Sequence, residues 1–149
     1  MSTNLADAQD LYRRFQGLPP RGQAGLRRVS KPDELRTTPG LYYLFPGVRP
    51  TIQQVRLAFV VPWCDHQQGS RKLGALCADK IAEDRIIRIA RVDPPDDLVR
   101  FRRLIMQLHA DAGWLDVAEF LFYWGAKKKR QLVEDYYLSL HKLDKGAKP

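Results

Sequence analysis

Cysteine and histidine are scarce in this sequence, with 2 cysteines and 3 histidines among 149 residues. Two cysteines do not make the disulfide framework of a small secreted domain, so we expect a reducing, cytoplasmic environment. Cys64, His66 and Cys77 form the one group that resembles a metal site, but their C-x-H-x10-C spacing matches no structural zinc pattern. We therefore expect neither a bound metal nor a cofactor.

Long apolar runs are also missing. No run approaches the roughly 20 apolar residues that a membrane-spanning helix requires. The opening segment, MSTNLADAQD, lacks the basic region and the apolar core of a signal peptide. We expect a soluble protein with no membrane partner.

No catalytic constellation is visible either. The histidines, His66, His109 and His141, lie in different segments, so no nucleophile–base pair and no H-E-x-x-H motif is formed. A metal-dependent nuclease needs converging carboxylates. The candidate acids instead read as helix caps or first-turn residues, and they are Asp93, Asp96, Asp97 and Asp116. The pattern predicts a protein that is not an enzyme.

Positive charge is what the sequence has in excess. Lysine and arginine number 25 against 17 acidic residues, which gives a net charge of +8. A basic domain of this kind indicates an anionic polymer or surface as its partner. Most of the cations are arginines, whose planar guanidinium suits bidentate contact with phosphate.

The densest apolar helix meets the longest basic run at residues 114–137. Asp116 is predicted as the N-cap of a buried helix, and Gly125 is expected to kink or end it. The apolar face of this helix consists of Val117, Phe120, Leu121 and Trp124. A second helix then begins with four cations, Lys127, Lys128, Lys129 and Arg130.

Spacing places Lys129 with Leu132, Val133, Tyr136 and Leu140 on one side of that second helix, with Lys128 and Arg130 flanking and Lys127 pointing away. Cations at a helix N-terminus oppose the helix dipole, so stability alone does not favour them. An anion bound at the turn would make these cations stabilising, because the lysines, the free N–H groups and the helix dipole would all attract it. The alternative is a solvated basic face. Trp124, Tyr136 and Tyr137 have helical spacing, which favours core packing over stacking on nucleobases.

Helical signals cover the rest of the chain. A first amphipathic helix carries Leu5, Ala8, Leu11, Tyr12 and Phe15. Ser30 is predicted to begin a capping box, and Thr51 to cap the next helix. Residues 57–61 have the composition of a buried strand, but no second strand pattern exists to pair with them, so helix is favoured.

Arginines recur at three places on these helices. Arg27 and Arg28 end a short helix. Arg85, Arg88 and Arg91 form a ridge opposite an isoleucine face. Arg100, Arg102 and Arg103 are predicted to flank or oppose the apolar face of a later helix.

The predicted fold is all-α, a compact multi-helix bundle in one domain over residues 1–149. An alternative organisation has two small helical lobes, 1–62 and 70–143, with 63–69 as the connecting loop and hinge. Residues 144–149 are predicted to form a flexible tail.

Three segments resemble the CasB family, the small subunit of the type I-E CRISPR surveillance complex Cascade. They are LRRVSKPDELRTTPGLYYL at 26–44, DDLVRFRRLI at 96–105 and WLDVAEFLFYWGAKKKRQLVEDYY at 114–137. The resemblance implies an all-helical, non-catalytic protein that pairs with a second copy of itself, beside other Cascade subunits and the crRNA. Its basic surface is implied to hold nucleic acid while target DNA strands open into an R-loop.

The resemblance also implies which side chains contact phosphate. They are Arg27, Arg28, Arg100, Arg102, Arg103, Lys127, Lys128, Lys129 and Arg130. Between residues 62 and 77 the chain departs from the family, with Leu73-Gly74-Ala75 where relatives carry an arginine after the Leu-Gly pair. No contacts are assigned there, and Arg71 and Lys72 are the candidates to substitute for that arginine. The rival interpretation is a sequence-specific helical DNA-binding regulator, which reads base edges with one exposed helix.

Overall fold

The computed structural model of the chain is built from α-helices. It describes residues 2–109 and 111–147, with side chains over 6–109 and 111–142. The α-helices of this part of the chain are α1 (Ser2–Gln16), α2 (Pro20–Arg28), α3 (Pro39–Leu44), α4 (Ile52–Val60), α5 (Leu73–Lys80), α6 (Glu83–Arg91), α7 (Asp96–Gln107), α8 (Trp114–Phe122) and α9 (Ala126–Ala147). Two short 3₁₀ helices cover Pro32–Thr37 and Val61–Trp63. The all-α prediction is confirmed.

The helices enclose one continuous apolar core. α9 packs along α5 and α6, and α6 packs on α7. α8 packs on both α1 and α4, while α2 packs on α3. The division into two lobes remains a prediction. α9 runs past the start of the predicted tail as far as Ala147, and residues 148 and 149 lie outside the described residues.

The apolar face of α1 is the one that the sequence predicts. Ala8, Leu11 and Phe15 are buried, and the side chain of Leu5 lies outside the described residues. The indole nitrogen of Trp114 donates a hydrogen bond to the Ala8 carbonyl at 2.7 Å. This bond joins α8 to α1, because a buried indole N–H needs an acceptor.

Of the two caps predicted at Ser30 and Thr51, only the one at Thr51 is present, and it is a full capping box. Thr51 caps α4, with Gln54 N donating to Thr51 Oγ1 at 3.2 Å and Thr51 N donating to Gln54 Oε1 at 2.9 Å. The helix assignment for residues 57–61 is confirmed, with α4 followed directly by a 3₁₀ turn. The box predicted at Ser30 is wrong. The 3₁₀ helix begins one residue later than a Ser30 cap requires, and the Ser30 N–H donates to the Glu34 carboxylate at 2.7 Å.

Asp116 does not cap α8. That helix begins at Trp114, because carbonyls of the distant loop that precedes α5 accept its first N–H groups: Trp114 N lies 2.7 Å from His66 O, and Leu115 N lies 3.1 Å from Gln67 O. Asp116 caps α5 instead, since its carboxylate accepts a hydrogen bond from Leu73 N at 2.6 Å. Burial raises the pKa of Asp116.

The loop after residue 63 therefore has a structural role. Within the described residues it forms a single β-bridge, between His66 and Gly113. Its backbone passes so close to the start of α8 that a Cβ atom on Gly69 or on Gly113 would collide with the backbone of the other. Glycine is required at both positions for this close approach.

Candidate nucleic-acid interface

The nine predicted phosphate-contacting side chains divide into exposed cations and cations held inside the protein. They lie at the end of α2, along α7 and in the first turns of α9. The surroundings of these side chains differ from one helix to the next.

Arg27 and Arg28 end α2, and both are exposed. Arg27 is held by the protein itself: one of its guanidinium nitrogens lies 3.3 Å from the Pro62 carbonyl, and the guanidinium carbon lies 5.5 Å from the centre of the Phe15 ring. Among the described residues, Arg28 has no hydrogen-bond or ion-pair partner. Arg28 is therefore the more available of the two cations.

Arg102 is not on the surface. The sequence places it beside or opposite the apolar face of α7, but the structure buries it, with 9% of the residue exposed. Its guanidinium lies 4.2 Å from the centre of the Phe59 ring and 5.9 Å from that of Trp63. Burial, followed by the neighbouring charge of Arg103, lowers the pKa of Arg102. The side chain faces inward because α4 and the 3₁₀ turn after it pack over that side of α7.

Arg103 and Arg100 face a groove between α6 and α7. Arg103 is exposed and has no ion-pair partner in the described part of the chain, whereas Arg100 pairs with Asp96 one turn earlier at 3.0 Å. Arg85 and Arg88 line the same groove from α6, and the groove encloses about 240 Å³. We name these four side chains, Arg85, Arg88, Arg100 and Arg103, the arginine groove.

The arginine groove contains two residues that the predicted site leaves out. Arg85 and Arg88 belong to the basic ridge predicted on α6, but the predicted phosphate site does not include that ridge. The short spacing between the two helices was the available signal, because consecutive helices joined by a short connection usually pack as neighbours. Asp84 also lines the groove, so its charge offsets one arginine.

The start of α9 carries two free cations and two engaged ones. Lys127 and Arg130 are exposed and have no ion-pair partner within the described residues. Lys128 is half-buried: its ammonium lies 3.2 Å from Glu119 Oε1 and 5.0 Å from the centre of the Phe120 ring. This confirms that Lys127 points away from the core, while Lys128 mainly contacts α8.

Lys129 lies inside the protein, on the apolar side of α9 that the sequence predicts. Its ammonium forms an ion pair with Asp97 at 3.0 Å and donates to the Val92 carbonyl at 3.1 Å. Asp97 also accepts from the indole nitrogen of Trp124 at 3.0 Å. These contacts use the Lys129 ammonium within the fold, so we assign Lys129 a structural role.

The predicted aromatic packing is confirmed. Trp124 and Tyr136 are buried, and Tyr137 is partly buried against the core. The Trp124 and Phe101 ring centres are 4.8 Å apart. These rings are occupied by core contacts.

The exposed cations form a path along α6. Arg88 and Arg91 are three residues apart on this helix, and residues at that spacing are neighbours on its surface. Arg91 and Arg130 line one cavity at the start of α9. Arg88 therefore connects the arginine groove to Arg91 and Arg130. Arg28, at the end of α2, lines neither the groove nor the cavity.

Cys64 and Cys77 are buried free thiols, and burial raises the pKa of each to about 12. His66 is exposed on the loop between them. No helix in the described part of the chain is long and apolar enough to cross a membrane.

Comparison with known proteins gives one family. No protein-family profile matches the chain. The chain is 34% identical to the CRISPR system Cascade subunit CasB of Escherichia coli (strain K12) over 155 aligned positions, which cover 91% of this chain and 96% of that protein. Its fold matches a chain in the crystal structure of E. coli Cascade bound to a PAM-containing dsDNA target, with a TM-score of 0.77, 34% identity and coverage of 89% of this chain and 95% of that one. The protein therefore belongs to the CasB family of type I-E Cascade subunits.

Proposed function

We propose that this protein is a non-catalytic Cascade subunit that binds the sugar-phosphate backbone of nucleic acid and stabilises the R-loop formed by crRNA and target DNA. It works in the cytoplasm, beside other Cascade subunits and the crRNA, and pairs with a second copy of itself. Sequence information is carried by base pairing in such complexes, so the protein needs only backbone contacts.

The arginine groove is the observation that carries this proposal. Four guanidinium groups from two helices converge on about 240 Å³. Arg100 pairs with Asp96 and Arg85 donates to Gln107, whereas Arg88 and Arg103 have neither a hydrogen-bond nor an ion-pair partner in the described chain. Holding like charges together costs free energy unless an anion occupies the site. Arginine suits phosphate, because its fork of N–H groups contacts two oxygens at once.

The distribution of charge favours backbone binding over sequence reading. A helix-turn-helix regulator contacts base edges with the first residues of one exposed helix. Here exposed cations without a partner in the described residues lie on several helices, among them Arg28 on α2, Arg88 and Arg91 on α6, Arg103 on α7, and Lys127 and Arg130 on α9. Such a spread suits a strand that follows the surface.

The test is target-DNA binding by reconstituted Cascade that contains Arg88→Ala/Arg103→Ala. We expect weaker binding and a log–log salt slope that is smaller by about 1.4 in magnitude, because two phosphate contacts on a single strand are lost. Arg21→Ala/Arg49→Ala removes the same charge from exposed positions outside the groove and is the matched control. Equal binding by both variants would contradict the groove as the site. A strong preference for one duplex sequence would favour the regulator, and divalent-metal-dependent cleavage would contradict the non-catalytic role.

A further inference from the structure

A cavity of about 920 Å³ opens where the turn between α8 and α9 meets α4 and the end of α6. Its volume lies in the range of ligand and anchor pockets. Apolar side chains form most of its interior, namely Val55, Ile87, Leu98, Trp124 and Val133. The cavity is separate from the arginine groove, which lies on the other side of α6 and has no lining residue in common with it.

The polar groups at the base of the cavity already have hydrogen-bond partners within the protein. Asp97, Lys129 and the Trp124 indole nitrogen all line this end, and each is engaged with another in the network described above. A nucleobase that leaves its stack needs an exposed aromatic face or free hydrogen-bonding groups to receive it. The base provides neither, because Trp124 is only 7% exposed and its indole nitrogen, Asp97 and Lys129 are already paired with one another.

The rim is charged and mostly positive. Five cations surround the opening, namely Lys31, Arg36, Arg56, Arg91 and Arg130, and two exposed acids, Asp33 and Asp93, accompany them. Arg56 is half-buried, and burial lowers its pKa, so its charge is held partly out of water. Ile52 also lines the cavity, with 57% of the residue exposed to solvent.

We propose that this cavity is a docking site for a different protein subunit of Cascade, which inserts an apolar side chain flanked by carboxylates. A subunit of a complex must present protein interfaces. An apolar pocket with arginines at its edge is the usual anatomy of the energetically dominant part of one. Charge complementarity identifies the partner's flanks: even without Arg91 and Arg130, which belong to the path of exposed cations along α6, Lys31, Arg36 and Arg56 outnumber the two acids at the rim and attract carboxylates.

The first test identifies the occupant by crosslinking from Ile52→Cys. The native thiols are buried with a pKa of about 12, so a maleimide-linked photocrosslinker attaches selectively to the new cysteine. In assembled Cascade with crRNA, we expect a crosslink to an acidic segment of another protein subunit, identified by mass spectrometry. Val48→Cys is the matched control, because Val48 is 55% exposed but lies outside the cavity, and we expect no such product from it. A crosslink to RNA or DNA, a crosslink to a second copy of this chain, or no crosslink would overturn the proposal.

The second test measures assembly with Ile52→Asp. Ile52 is the first residue of α4, where an acid is compatible with the helix dipole, so the variant should fold with an unchanged melting temperature. A carboxylate at the rim repels the partner's carboxylates and removes an apolar contact. We expect the affinity of the subunit for the remainder of Cascade to fall at least about tenfold. Val48→Asp, which makes the same kind of change outside the cavity, should assemble as the wild type does. Equal assembly by the Ile52→Asp and Val48→Asp variants overturns the proposal. The isolated Ile52→Asp chain should still bind nucleic acid as the wild type does.

Discussion

Lys129 and Asp97 form an ion pair inside the protein, with Lys129 Nζ 3.0 Å from Asp97 Oδ2 and side-chain exposures of 11% and 1%. Asp97 stands in the first turn of α7, and Lys129 in the first turn of α9. The pair therefore joins the starts of two helices that are distant in sequence. The Trp124 indole donates to the same carboxylate oxygen, which ties the turn between α8 and α9 to this junction as well.

Lys129→Met should destabilise the protein strongly, because it leaves the Asp97 carboxylate buried without its counter-charge. Breaking a buried pair from one side typically costs about 3–5 kcal/mol. Denaturant unfolding measures the loss. Lys127→Met is the control, since Lys127 is exposed, and it should change the free energy of unfolding little. The double variant Asp97→Asn/Lys129→Met removes both charges and should recover part of the loss. A Lys129→Met protein as stable as the wild type would show that the pair is dispensable.

Lys127→Ala/Arg130→Ala should leave stability equal or slightly higher while target-DNA binding by the complex falls. Both side chains are exposed, so truncation empties no cavity, and both oppose the positive end of the α9 dipole. R-loop formation is so nearly balanced that a few backbone contacts decide it. A melting curve beside a target-binding assay makes the measurement. Lower melting with unchanged binding would assign these residues a structural role.

Lys128→Ala should behave differently from its neighbours. Its ammonium pairs with Glu119 and lies over the Phe120 ring, and only 13% of its side chain is exposed. We expect a loss of roughly 1 kcal/mol in unfolding free energy, from the cation–π contact and the partly buried pair together. Lys127→Ala is again the comparison. Stability equal to that of the wild type would place Lys128 among the free cations.

Asp116→Asn should remove one source of pH-dependent stability. Burial raises the folded-state pKa of Asp116 above its ordinary value of 3.8, so the folded protein binds this proton more tightly than the unfolded chain does. The stabilisation from the protonated form is complete below the unfolded pKa and is lost as the pH rises through the folded pKa. The stability of the wild type relative to Asp116→Asn should therefore decline from about pH 4 towards neutral pH.

Asp116→Ala is the companion variant. It leaves Leu73 N without its acceptor and should cost about 0.5–2 kcal/mol, as the loss of a helix cap does. Urea unfolding of the three proteins across the pH range makes the comparison. A stability difference between wild type and Asp116→Asn that does not change with pH would contradict the raised pKa.

Cys64 and Cys77 should resist alkylation in the folded protein. Both thiols are buried, and with a pKa of about 12 the reactive thiolate is nearly absent at about pH 8. In denaturant both should react at the rate of an ordinary thiol. Counting thiols with a chromogenic disulfide before and after unfolding makes the measurement. Rapid reaction of either cysteine in the native state would contradict its burial.

The sequence predicted structure correctly wherever the interacting residues lie in one segment of the chain. Helical spacing predicted the buried faces of α1, α8 and α9, including the inward position of Lys129. Thr51 was predicted correctly as a cap, because its partner Gln54 is three residues away. The local sequence pattern predicted the wrong helix start where hydrogen-bond partners come from a distant segment. The carbonyls of His66 and Gln67 accept from the first N–H groups of α8, so α8 begins before Asp116, and Asp116 caps α5 instead.

The sequence predicted the helical fold better than it predicted which side chains form the candidate site. The sequence by itself determined the excess of positive charge, the helical content and the positions of its arginines and lysines, because these follow from composition and spacing. Tertiary structure alone decided which cations remain free. It buried Arg102 under Phe59, engaged Lys129 with Asp97, and placed Arg88 beside Arg103 across two helices. The reason is that exposure and charge pairing depend on which side chains face each other across packed helices, and the spacing of residues along one helix does not encode that.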